Sequence, residues 1–284
     1  MPDATTLNAE QATYWNGPGG AHWVAQQAHT DAMLADIAAA AIAHAGPRPG
    51  ERVLDIGCGC GNTTLLLADA VGDAGHVLGL DISEPMLGVA RGRAAGRANI
   101  AWALADAAAH PFEPASLDLL FSRFGVMFFG DPVAAFANLR RGLRPGGRMV
   151  FACWRPIDET PWMRVPLHAA YRHVPRLPKP GPDDPGPFAF ADPARVTRIL
   201  TEAGWAAPSL TKLDLMLDIA AGGGLDGAVD QATQIGAASR ALREAPEETR
   251  PAAIAAIRDV LAQRADGANV RLGGAIWLVE ARPG

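Results

Sequence analysis

The 284-residue chain predicts an α/β fold: a doubly wound, seven-stranded, mostly parallel sheet with an added lid and a helical cap. Three observations carry that expectation. Short apolar runs rich in β-branched residues alternate with helical stretches from position 52 to position 154, the rhythm of a parallel sheet with crossover helices. The first of these strands runs into alternating glycines, Gly57, Gly59 and Gly61, and then into a helix. Beyond position 154 the rhythm breaks, first into a stretch holding ten of the 23 prolines and later into two helices set between two further strands.

Composition narrows the class. With 49% hydrophobic and 19% charged residues the chain can bury a full core. Its net charge is −5 and no basic block is present, so nucleic acid is not an expected partner. No run reaches the ~18 apolar residues of a membrane span and no signal peptide opens the chain, which points to a soluble, cytoplasmic protein. Three cysteines make neither a disulfide framework nor a four-ligand zinc site, so no metal is expected.

The elements follow in order. Asn8 with Gln11 reads as a capping box opening a short helix through Tyr14 and Trp15. The run Asn16-Gly17-Pro18-Gly19-Gly20 breaks that helix, and His22-Trp23-Val24 follows it. Thr30 then caps a helix with Met33, Leu34, Ile37, Ala41 and Ile42 on its apolar face, which Gly46-Pro47 ends. The rings of Tyr14, Trp15 and Trp23 around the glycine hinge read as a flap, or else as anchors of the amino end.

Val53, Leu54 and Ile56 form the first strand, with Asp55 inside it, and the glycine turn leads through Asn62 and Thr63, both capping types, to a helix that Gly72 ends. Strand, glycine turn and helix make a nucleotide site. A dinucleotide fingerprint wants glycine at position 62, where this chain has Asn. Val77 to Leu80 is the second strand, and a carboxylate at its end, Asp81, can accept both hydroxyls of a ribose. Pro85 opens a helix from Met86 to about Ala95. Ile100 to Leu104 and Leu117 to Ser122 are the third and fourth strands, the latter running into Arg123 and Phe128, at the edge where parallel sheets bind ligands. Asp131-Pro132 starts a helix to Arg141, and the turn Leu143 to Gly147 feeds a strand from Arg148 to Trp154.

The run Asp55-x-Gly57-x-Gly59-x-Gly61, the acids Asp81 and Asp106, and Leu143-Arg144-Pro145-Gly146-Gly147 together resemble the class I S-adenosylmethionine-dependent methyltransferases, over about Val53 to Trp154. The likeness is to the small-molecule branch that includes the quinone-ring C-methyltransferases. It implies a Rossmann-like methyltransferase fold with S-adenosyl-L-methionine as cofactor and S-adenosyl-L-homocysteine as product. Asp106 would receive the adenine amino group, the neighbouring Ala107 amide would donate to the ring, and Met86 would lie near the adenine. The implied cofactor contacts are Trp15, Trp23, Asp55, Gly57, Cys58, Gly59, Asp81, Ile82, Met86, Asp106, Ala107 and Ser122. Acceptor contacts are expected from Arg123, Phe128, Trp162 and Tyr171. The chain lacks the Asn-Pro-Pro-Tyr sequence of enzymes that methylate amide or adenine nitrogens, which makes that class a poor match.

Four segments are expected: a flap over 1–46, a cofactor-binding core over 47–154, a proline-rich lid over 155–193, and the rest of the sheet over 194–284 with a helical insertion at about 225–265. Within them Leu167 to Tyr171 reads as a short helix, Asp192-Pro193 caps a helix to Ala203, and Leu210 to Ile219 and Ala275 to Ala281 are strands. The inserted helices, about Asp226 to Leu242 and Pro251 to Gln263, close a substrate chamber or form a subunit interface. The expected activity is methyl transfer to an O, C or N nucleophile of a small, partly apolar molecule. No catalytic residue stands out; His22, His29, His110, His168 and His173 are candidate bases if the acceptor is a hydroxyl. The rival readings are a nicotinamide-dependent oxidoreductase and a non-catalytic S-adenosylmethionine sensor.

Overall fold

The computed structural model describes residues 4–181 and 183–284; Pro182 of the proline run and the first three residues of the amino-terminal segment lie outside them. Four helices open the chain: α1 (Ala4–Asn16), α2 (Pro18–Ala25), α3 (Gln27–Met33) and α4 (Ala35–Ala45). Then β1 (Arg52–Ile56), α5 (Asn62–Val71), β2 (His76–Asp81), α6 (Glu84–Arg93), β3 (Ile100–Leu104), β4 (Leu117–Arg123), α7 (Pro132–Gly142) and β5 (Leu143–Trp154) build the parallel half. The remainder is α8 (Pro161–Ala170), α9 (Pro193–Glu202), β6 (Trp205–Asp218), α10 (Gly224–Gln234), α11 (Ala237–Glu244), α12 (Arg250–Ala262), the two-residue β7 (Ala265–Asp266) and β8 (Asn269–Pro283).

The sheet runs β3-β2-β1-β4-β5-β8-β6, with β7 paired to β8 off this path. The strands from β3 to β5 are parallel, and β8 and β6 are antiparallel. Its doubly wound order matches the expectation. The strand sequence reverses direction between β1 and β4, which opens a ligand crevice beyond their carboxyl ends. Every β4 residue except Arg123 is buried, so the half-buried Arg123 marks where the core stops and the crevice begins.

Several local expectations need correction. Asn8 lies inside α1 rather than at its start, and Thr30 is buried inside α3 rather than capping the helix from Met33 to Ile42, most of which is α4 with Leu34 at its N-cap. Gly17 alone separates α1 from α2; Gly19 and Gly20 are helical and buried, because a Cβ on Gly20 would lie 2.0 Å from the Trp15 carbonyl. The helix read from Leu167 begins at Pro161, whose ring suits the first turn. The long inserted helix is two, split at Gly236, where φ is 94°. Asp131 and Asp192 do cap their helices, accepting from the amides of Ala134 and Ala194, both at 2.9 Å.

α4 is locked to β5 by the inward side chain of Arg148. Its guanidinium donates to both Glu51 carboxylate oxygens at 2.9 Å and to the carbonyls of Ala45 and Gly46 at 2.7 Å. These carbonyls end α4, so a cation there also suits the helix dipole. At the far side α8 packs on α11 and α12, and α10 packs on both of those. The proline-rich segment and the insertion therefore share one helical body.

Candidate functional site

The site is built on the carboxyl ends of β3, β2, β1 and β4, taken in spatial order. At β1, Asp55 is fully buried; its Oδ2 accepts the hydroxyls of Thr63 at 2.7 Å and Thr64 at 2.6 Å, while Oδ1 has no hydrogen-bond partner among the described residues. Thr63 thus braces the strand acid instead of capping α5, whose N-cap is Gly61. Burial pushes the Asp55 carboxyl up to about 6, against the opposing pull of the two threonine hydroxyls and the Arg123 charge.

That shift carries a sign. A buried carboxyl with a raised pKa favours the folded state fully below the ordinary aspartate value, and the advantage is lost as pH rises through about 6. Asp55→Asn is expected to flatten a slope on the order of 3 kcal/mol across this window. Urea midpoints taken at several pH values check it: an unchanged slope in the variant rules out Asp55 as its source.

The glycines divide the labour. Gly57, Gly59 and Gly61 all take positive φ, 65°, 55° and 81°, a conformation open to glycine at little cost. A Cβ on Gly57 would lie 2.7 Å from the Gly125 Cα, so this glycine lets the β1 and β4 loops touch backbone to backbone. On Gly61 it would meet the Trp102 ring at 2.8 Å. On Gly59 the nearest neighbour is the Met86 sulfur at 3.8 Å, so Gly59 alone of the three keeps space for a ligand. Cys58 is buried, its thiol pushed up by burial and by the Asp81 and Asp55 charges.

Asp81 ends β2, and its two oxygens accept the Gly59 and Ser83 amides, each at 2.8 Å. It therefore ties the glycine turn to the start of α6. Burial raises its pKa while these amides pull it down. Past β3, Asp106 accepts the Ala108 amide at 2.8 Å and the Asn8 side-chain amide at 2.8 Å. Ala107 is buried, and its carbonyl receives Asn138. At β4, the buried Ser122 hydroxyl donates to the Ile56 carbonyl at 2.7 Å and accepts the Gly125 amide at 3.1 Å, so it braces the two strand ends. Phe124 follows with φ 69°, stacked 4.2 Å over Trp154. A bulky side chain in this region stores about 1–3 kcal/mol of strain.

α1 lies across these strand ends as a strap. Asn8 bridges Asp106 and the Gly130 amide (3.0 Å), and Asn16 bridges the Ile82 carbonyl (2.8 Å) and the Glu84 amide (3.0 Å). Ser83 donates to the Trp15 carbonyl at 2.7 Å. The Trp15 ring meets Phe128 edge-on at 5.3 Å and Trp23 at 6.3 Å. Trp15, Trp23, Ile82, Asp106 and Phe128 are thus brought together. Trp162 and Tyr171 belong to the helical body instead: Trp162 packs on Trp154 at 5.3 Å, and Tyr171 lies under the Arg176 guanidinium.

Of the histidines, His29 is bonded to the Ile219 carbonyl at 2.8 Å, His110 packs on Phe112, and His168 and His173 are exposed; His22 lies half-buried on α2. Sequence reasoning missed Asn8 and Asn16 as clips, Gly125 as the partner of Gly57, and Phe124. Only the Phe124-Gly125 pair carried a signal, a glycine just past a strand.

Residues 53–147 match the family model described as a methyltransferase domain. The demethylmenaquinone methyltransferase of Staphylococcus aureus is 39% identical over 105 residues, 37% of this chain and 44% of that protein. The match thus spans less than half the length of that relative. Among solved structures, the YcgJ protein of Bacillus subtilis superposes with a TM-score of 0.57 at 19% identity, over 88% of this chain and 100% of that one. A phosphoethanolamine N-methyltransferase of Haemonchus contortus, solved with phosphomonomethylethanolamine and S-adenosylhomocysteine, gives 0.52 at 20% identity, over 88% of this chain and 53% of that one. These two likenesses establish a shared fold. The strand order, the glycine turn and the matched segment agree: residues 53–147 of this chain match a methyltransferase domain and are similar in sequence to a demethylmenaquinone methyltransferase.

Proposed function

We propose that this protein transfers a methyl group from S-adenosyl-L-methionine to an O, C or N nucleophile of a small, partly apolar molecule. The observation that carries the reading is the ledge of Asp106, Asp81, Gly59 and Asp55 on successive strand ends inside the matched domain. When bound, S-adenosyl-L-methionine supplies a methyl group on a positively charged sulfur, and the residues suit it. Gly59 leaves a cradle that a Cβ would fill, and Asp55 keeps one buried oxygen unpartnered. Asp81 and Asp106 each retain lone pairs beyond those their present donors use, enough for ribose hydroxyls and an adenine amino group. Trp15, Trp23, Ile82, Met86, Ala107 and Phe128 supply the walls. Gly57, Cys58 and Ser122 support the turn from behind.

In-line transfer needs the nucleophile ~3–3.5 Å from the methyl carbon with water excluded, so holding and covering do most of the work. The segments 1–46, 155–193 and about 225–265 act as the roof of the core 47–154, with Trp162 and Tyr171 shaping the acceptor side. The relatives named for demethylmenaquinone and phosphoethanolamine support a small-molecule acceptor. The net charge of −5 argues against nucleic acid. No helix among the described residues is long and apolar enough to cross a membrane, and three free, buried thiols suit a reducing compartment such as the cytoplasm.

Calorimetry with S-adenosylhomocysteine and NAD side by side tests the reading, joined to turnover on a panel of phenols, quinones and amines. Binding of S-adenosylhomocysteine with turnover of one acceptor supports it; binding of NAD alone overturns it, and binding without turnover on the whole panel favours the sensor. In the same assay Asp81→Asn should weaken binding by about 1.5–3 kcal/mol. Affinity for the cationic donor relative to its neutral product should also rise with pH through about 6, as Asp55 ionises.

A further inference from the structure

β6 is one edge of the sheet: it pairs with β8 on its inner side and, among the described residues, with no strand on its outer side. The opposite edge, β3, is five residues long, and so short an edge offers little main chain to a partner. β6 runs for 14 residues. Its first part is blunted, because the ladder to β8 slips between Ala206 and Ser209, Ala207 takes a φ of 41°, and Pro208 has no N–H to give. From Leu210 to Met216 the register with β8 is continuous. Among the described residues no backbone group outside that ladder bonds to this run, so its outward N–H and C=O groups stand open to another strand.

The side chains of the run indicate which strand. Set against a second copy of itself running the other way about Leu213, it brings Leu213 to Leu213, Lys212 to Asp214, Leu210 to Met216 and Thr211 to Leu215. Residues directly opposite in an antiparallel pair share a face and touch, so each ammonium meets a carboxylate of the other copy and each leucine meets an apolar surface. Centring the pair on Lys212 or on Asp214 instead sets like charges against each other, which destabilises, so the same pattern fixes the register. Both charges are free to take part. Lys212 lies 5.6 Å over the Trp277 ring; Asp214 accepts Arg155 at 2.7 Å, yet its side chain is 74% exposed, with lone pairs to spare. Met216, at 59% the most exposed large apolar side chain among the described residues, is covered by Leu210 of the other copy in this pairing. A lone edge lysine keeps strands apart by repelling its like; an acid two positions further on turns that repulsion into attraction.

We propose that the β6 edge is a docking surface for a second copy of this chain, the two β6 strands pairing antiparallel about Leu213 into one sheet that runs through both copies. The contact is isologous, with the same patch given by each partner. The crevice lies beyond β1 and β4, and β5 and β8 stand between it and β6, so both sites stay open. A single strand pair is a small interface, so the dimer dissociates on dilution.

Sedimentation of the full-length protein, from low micromolar to the highest soluble concentration, tests this. The wild type should pass from one chain to two and no further, because a two-fold contact closes. Lys212→Asp and Asp214→Lys each place two like-charge pairs across the two-fold, and each should weaken self-association roughly tenfold or more. The double variant, Lys212→Asp with Asp214→Lys, exchanges the charges and should restore the dimer, which also excludes misfolding as the cause of the single losses. A short bismaleimide should link two chains of Leu213→Cys, where the position meets itself, and leave Ser209→Cys unlinked, since Ser209 lies far along the strand from its own mate. The three native thiols do not compete, being buried. A wild type that stays monomeric at every concentration assigns Lys212 to keeping edges apart and overturns the proposal. So do a dimer untouched by either single reversal, a double variant that fails to recover, or equal linking at Ser209 and Leu213.

Discussion

Gly57→Val will destabilise the whole nucleotide end of the sheet, whereas Gly59→Ala will leave the protein folded and poor at binding S-adenosylhomocysteine. The two glycines look equivalent in a Gly-x-Gly-x-Gly run, yet their surroundings differ. At Gly57 a Cβ would sit 2.7 Å from backbone of Gly125, and φ is 65°. A branched side chain there meets both the left-handed backbone, at about 1–3 kcal/mol, and overpacking against a loop that cannot retreat, at about 1–3 kcal/mol more. In a chain of this size that lowers the melting temperature on the order of 10 °C. At Gly59 the added methyl meets only the flexible Met86 side chain at 3.8 Å, so the penalty is the backbone one alone, about 1–2 kcal/mol. The methyl then stands in the ligand's space, and affinity should fall roughly tenfold or more. Melting curves and calorimetry on both variants separate the roles; a stable Gly57→Val protein, or normal binding by Gly59→Ala, would contradict the division.

Removal of residues 1–17 should stop turnover and weaken S-adenosylhomocysteine binding while the sheet stays folded. That cut takes away α1 with its clips at Asp106, Gly130, Ile82, Ser83 and Glu84, and the Trp15 ring that meets Phe128. Loss of a large aromatic cover is worth about 1.5–3 kcal/mol of binding. The hydrophobic core below does not depend on it, since the described residues of α1 are all exposed or half-buried. Hydrogen exchange on the β1 and β4 amides should stay slow in the truncated protein. If it binds S-adenosylhomocysteine as tightly as the full chain, the amino-terminal rings are anchors and not a cover.

The parallel half of the fold was legible in the amino-acid order because its signals are local. A buried strand is a short β-branched run, a crossover helix starts at Asp131-Pro132, and a turn into β5 is Leu143 to Gly147; each is decided by its own neighbours. Asp81 and Asp106 were legible as acids at or just past the ends of β2 and β3 for the same reason, whereas Asp55 lies inside β1 and was singled out by the Asp-x-Gly-x-Gly-x-Gly run.

What the tertiary structure alone decided depends on partners far apart in the chain. Asn8 has the side chain of a helix cap, but its amide reaches Asp106, 98 positions away, and no short-range pattern separates capping from reaching. Thr63 looks like a cap as well, and the unsatisfied Asp55 carboxylate beneath it won its hydroxyl. The three glycines carry one conformational signature and three different jobs, because a Cβ that is never present reveals its role only through what it would strike. The union of α8 with α10, α11 and α12 joins segments separated by the whole of α9 and β6. Periodicity told that each helix had an apolar face; only packing could tell which faces met.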